Sequence, residues 1–207
     1  MKKLKLFLIT YALIHLYTNT LFAEDCLEFK ISPSVKITVP EYTKKITQPD
    51  EELDKMHGNV VATFEESYEL SAASAPFGAG YCVVLKGVNA NIGYTDFLVK
   101  IDKSNIPDSC EYNMVAKHEQ KHIDAYLSAL DDGKKDISTS ISNAADSVMP
   151  VFVKSLDGVN AALDKMQSEL QTNPNIVLIR QKIDAETELR NKKIDTSGDA
   201  LRMLKCK

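Results

Sequence analysis

The residues of this chain whose types and spacing could do chemistry are gathered in one pentapeptide, His118-Glu119-Gln120-Lys121-His122. Residues four apart share a face of an α-helix, so both imidazoles can meet at one ion while Glu119, one step round, reaches a water beside it. That is the donor set of a zinc hydrolase, with two nitrogens for the metal and one carboxylate for the proton. The competing reading is a pair of solvated histidines on a charged helix. Against it, histidine is scarce: the others are only His15 and His57.

The elements that must position this motif follow from local patterning. Asp108 as N-cap and Glu111 three residues on form a capping box, and Met114, Val115, Ala116, Ile123, Leu127 and Leu130 supply an apolar side over several turns. Gly133 is expected to end or kink this helix, with a second one from Lys134 to Val148 stopped by Pro150. From Val151 to Leu170 apolar residues recur at three and four, which predicts another helix. A last one begins near Asn175, its buried side marked by Ile176, Ile179, Ile183 and Ile194.

Upstream the pattern is extended. Residues 26–47 alternate as strands do, with Leu27, Phe29 and Ile31, then Val35, Ile37 and Val39, around Ser32-Pro33, and the polar segment punctuated by Pro40 and Pro49 reads as a loop. Another strand starts at Gly58, Ser71–Gly80 is too small-sided to specify an element, and residues 81–86 and 94–101 are strands around turn formers Gly87, Asn89, Asn91 and Gly93. The predicted fold is α+β: an N-terminal antiparallel sheet over residues 24–107, then a zincin-like motif helix and a C-terminal helical portion over 108–207. A strand beside such a motif can take up an extended peptide by edge addition.

The third ligand is sought from another helix. Ser128 stands where a metzincin would carry its third histidine. At about 100° per residue, Glu186, Thr187 and Arg190 project to the side of Ile176. An inward carboxylate needs a cation, which is either Arg190 at i+4 or the metal. Glu186 is therefore the leading third ligand, Asp184 at the margin of that face the alternative, and Glu169 and His57 lie further down. Tyr126 on the His122 side, and Tyr112 before the motif, are candidates for oxyanion support or for packing.

Residues 1–23 have the build of a signal peptide: Lys2, Lys3 and Lys5, a mostly apolar Leu6 to Leu16, and Ala23 before Glu24. Thr18, Asn19 and Thr20 interrupt the segment short of the roughly 20 apolar residues a membrane span needs. Residues 24–207 then form one exported domain, secreted or periplasmic, without stable membrane insertion. The formal charge of −4 becomes more negative without the three lysines, and no basic patch is present, which argues against nucleic acid as a partner. The 4 cysteines are widely spaced and even in number, as expected for two disulfides. The preferred pairs are Cys82 with Cys110 and Cys26 with Cys206, among three possible arrangements.

Residues from about 95 to 190 resemble a family of largely uncharacterised bacterial secreted zinc-dependent proteases of the HExxH type. The resemblance is carried by extended sheet, Tyr112, the His118–His122 motif and a helical tail ending in Asp184-Ala185-Glu186-Thr187. That family places an aspartate and a threonine three apart late in the chain, usually followed by a histidine-glycine pair, where this chain has Leu189 and Arg190. The resemblance implies a zinc protease and favours Asp184 as ligand, where periodicity favours Glu186. The expected function is an exported zinc metallopeptidase acting on a peptide or protein, with Glu119 as general base. The alternative is a non-catalytic exported binding or envelope-associated protein.

Overall fold

The computed structural model describes residues 26–49, 53, 57–196 and 206; the predicted signal segment lies outside them. After a 3₁₀ turn at Cys26–Phe29, the elements are β1 (Ser34–Thr38), β2 (Thr43–Thr47), β3 (Gly58–Phe77), β4 (Gly80–Ile101), α1 (Cys110–Ser147), β5 (Val151–Val153), α2 (Val159–Gln171) and α3 (Pro174–Thr196). Every other strand of the sheet pairs with β4. Its run from Cys82 to Leu85 is buried without alternation, because both faces of the strand are covered there.

The sheet is mixed, which corrects the antiparallel arrangement expected from sequence. β2 lies parallel to β4, from Thr43 opposite Asp96 to Thr47 opposite Lys100. β1 ascends with β4 as well, Ser34 Oγ donating to Lys86 O and Thr38 Oγ1 to Ala90 O. β3 descends as β4 ascends: Ser71 Oγ donates to Gly87 O, the Phe64 ring meets Tyr94, and His57 O accepts from Asp102 N. That is the antiparallel pairing a two-residue connection imposes. β5 pairs antiparallel with the start of β4, so the last strand follows the motif helix in sequence. The Thr-Lys-Lys-Ile-Thr of β2 has no apolar alternation, and for that reason it resembled a loop.

Other boundaries also move. Ser71–Phe77 belongs to β3, whose side chains there are largely exposed, so small polar residues suffice. β4 runs unbroken past Gly87 and Gly93; Ser34 and Ser71 crowd Gly87, so that glycine marks a close approach within the strand. α1 passes straight through Gly133, where a Cβ would stand 3.2 Å from Ile183 Cγ1 of α3. Its cap is Ser109, whose Oγ accepts from Tyr112 N at 3.1 Å, while Asp108 sits at φ 63° outside the helix. The predicted helix from Val151 begins only at Val159, after β5 and a short 3₁₀ turn.

The described residues divide into two compact units. One comprises residues 26–36, 68–89 and 141–173, with Val83, Val88, Ile141, Met166 and Leu170 in its core. The other takes in residues 37–67, 90–140 and 174–206 as far as they are described, around Phe97, Val99, Ile101, Val115, Ile123 and Ile176. The disulfides are Cys26–Cys82 and Cys110–Cys206, with Cα separations of 5.5 and 5.6 Å. This overturns the preferred pairs Cys82–Cys110 and Cys26–Cys206. Each bridge closes within one unit, a division that spacing along the chain does not reveal. Among the described residues no helix is long and apolar enough to cross a membrane.

Candidate metal centre

Glu119 occupies a core position. On α1 the sequence Val115, Glu119, Ile123 steps by four, and all three are buried, Glu119 at 4% exposure. Burying a carboxylate disfavours its charge, and this desolvation pushes Glu119 up to about 7. Charge on His122 opposes the shift and Asp195 adds to it. The space for the carboxylate exists because β3 starts with glycine. A Cβ on Gly58 would fall 2.6 Å from Glu119 Oε1 and 2.6 Å from Val115 Cγ1. The sequence pattern marked Gly58 only as the start of a strand.

His118 and His122 project beside this buried line and meet Asp195 from the C-terminal end of α3. His118 Nε2 lies 3.2 Å from His122 Nε2, and Asp195 Oδ1 lies 3.1 Å from His122 Nε2 and 3.5 Å from His118 Nε2. Three donors of a tetrahedral ion at about 2.0–2.1 Å stand about 3.3–3.4 Å apart. The triangle therefore has the size of one face of a tetrahedral coordination sphere. These residues form a cluster able to hold a divalent cation. The Asp195 side chain is 54% exposed, so solvent can approach there. Behind His122, Nδ1 stands 3.0 Å from Asn191 Oδ1, one turn before Asp195 on α3.

The predicted third ligands go elsewhere. Glu186 Oε1 accepts from Arg190 Nε at 2.8 Å, and Arg190 also donates to Ser128 Oγ at 2.6 Å and Asp132 Oδ2 at 2.7 Å. Glu186 is not inward as expected, its side chain being 44% exposed, and its partner is Arg190. Asp184 is exposed, and Glu169 pairs with Lys165 at 3.8 Å. His57 is exposed and anchors Asp102 through its backbone carbonyl. Tyr126 commits its ring to Tyr94 and Phe97, with centroids 5.1 and 5.9 Å away.

Asp195 and Asn191 were missed because the inward face of α3 was extrapolated from Ile176. Over five turns, angular drift carries the site-facing side round the helix. A local signal was present: Thr187, Asn191 and Asp195 step by four, matching the spacing of His118 and His122. Comparison with known proteins adds nothing to this geometry, since no family model, no curated protein and no solved structure matches the chain.

Proposed function

We propose that this protein is an exported zinc-dependent metallopeptidase in which His118, His122 and Asp195 hold the metal and Glu119 is the general base. The observation that carries the reading is the triangle of two Nε2 atoms and one carboxylate oxygen at 3.1–3.5 Å, with a buried carboxylate on the adjoining helical position. Zinc in a three-ligand site supplies Lewis acidity and brings the pKa of water down to about 7. Glu119, buried on the helical position next to His118, is placed to take a proton from water and pass it to a leaving amine.

A peptide substrate is supported by the sheet. β3 begins at Gly58 against Glu119, so a peptide added to the sheet in extended form at that end would lie beside the buried carboxylate. Export is supported by the basic-then-apolar start of the sequence and by two disulfides, which persist in oxidising compartments.

The test is metal content and peptide hydrolysis of the mature, oxidised protein beside Glu119→Gln. The expected result is near one zinc per chain in both, with hydrolysis in the variant reduced by about 10²–10⁴ or more. A protein free of zinc after growth with the metal available contradicts the reading and leaves a non-catalytic exported protein.

A further inference from the structure

Asn191 stands behind His122, on the far side of the ring from the converging ligand atoms. We infer that Asn191 is a positioning residue that sets the tautomer and tilt of His122, an inference that rests on the metal reading above. A ligating imidazole must present an unprotonated nitrogen to the ion, so its proton must sit on the other nitrogen. In His122 the nitrogen facing His118 and Asp195 is Nε2, which leaves the proton to Nδ1. The atom 3.0 Å from Nδ1 is an amide oxygen, an acceptor with no proton to give. That contact is a hydrogen bond only when Nδ1 carries the proton, and it competes with Asp195 Oδ1 at Nε2 until an ion takes up the Nε2 lone pair. A solvated imidazole favours the opposite tautomer, and outer partners of this kind commonly decide which nitrogen reaches the metal.

Helix geometry couples this support to the third ligand. Asn191 and Asp195 are four apart, so one face of α3 brings the carboxylate to the front of His122 and the amide to its back. Arg190, next to Asn191, binds Ser128 and Asp132 of α1 and holds this turn of α3 against the motif helix. An amide suits the role because it fixes the ring without adding a negative charge beside Asp195 and the buried Glu119.

The experiment compares Asn191, Asn191→Leu and Asn191→Asp in the full oxidised protein, using a zinc competition titration with Asp195 intact and ¹⁵N NMR of the metal-free His122 ring in an Asp195→Ala background, which removes the carboxylate that competes for the proton at Nε2. In that background the ring should carry its proton on Nδ1 when residue 191 is Asn. Asn191→Leu should shift His122 toward the Nε2 proton and weaken zinc about 10–100-fold. Asn191→Asp, which keeps an acceptor at that position, should retain the Nδ1 proton and bind zinc within a few-fold of wild type. The role is overturned if Asn191→Leu leaves both tautomer and affinity unchanged, or if Asn191→Asp loses both as Asn191→Leu does. Failure of wild type to take up zinc would instead sink the metal reading, and the ring tautomer measured without metal would still decide what Asn191 does.

Discussion

Glu119 is held where an apolar residue would pack better, and this gives it a pH signature. Its ordinary value is 4.5 and its folded value about 7, so without metal the native state binds a proton that the unfolded chain has released between those values. Stability from this group is full below pH 4.5, declines as pH rises to about 7, and is lower by about 3 kcal/mol above it. Denaturant unfolding of zinc-free protein at pH 5 and pH 8 should show that loss, and Glu119→Gln should lack it. A dication beside the carboxylate favours its charge, so zinc should flatten the same slope. Asp102, drawn down to about 2 chiefly by its hydrogen bonds from Ser104, acts in a separate window, its contribution being lost only below pH 4. Gly58 tests the position of Glu119 without touching a ligand. Gly58→Ala drives a Cβ toward Oε1, so hydrolysis should fall on the order of 100-fold while zinc affinity stays at the wild-type value.

At the scale of elements, the site is a clasp between α1 and α3. Arg190 joins them through Ser128 and Asp132, and Lys182 reaches Asp136 at 2.5 Å. These pairs are partly exposed, so Arg190→Met should cost only about 1 kcal/mol in thermal unfolding. Its larger effect should appear in zinc titration as a several-fold weaker affinity, because the turn bearing Asn191 loses its hold. This clasp was half legible in the sequence. The pentapeptide lies on a helix with an apolar side, and the pairing of Glu186 with Arg190 at i+4 was among the alternatives weighed. Asp195 was overlooked, because a face extrapolated from Ile176 turns away from it over five turns, while the step of four through Thr187 and Asn191 pointed to it. β2 and the latter half of β3 were hidden for another reason: exposed strands need no alternation, and pairing with β4 supplies what their side chains do not.

For the whole molecule, each compact unit has its own core and its own disulfide. Non-reducing peptide mapping of exported protein should recover Cys26 linked to Cys82 and Cys110 linked to Cys206, and a Cys82–Cys110 peptide would refute this pairing. Loss of either bridge should destabilise by about 2–4 kcal/mol. Cys110 opens the helix that bears the ligands, so loss of its bridge should weaken zinc more than loss of Cys26–Cys82. The most direct test of the metal centre is a zinc titration of wild type, Asp195→Asn and Glu186→Gln. Asp195→Asn should lose affinity by more than the roughly 10–100-fold that removal of a supporting residue costs, while Glu186→Gln stays within a few-fold of wild type. Wild-type affinity in Asp195→Asn, or its loss in Glu186→Gln alone, would contradict the assignment of Asp195 as the third ligand.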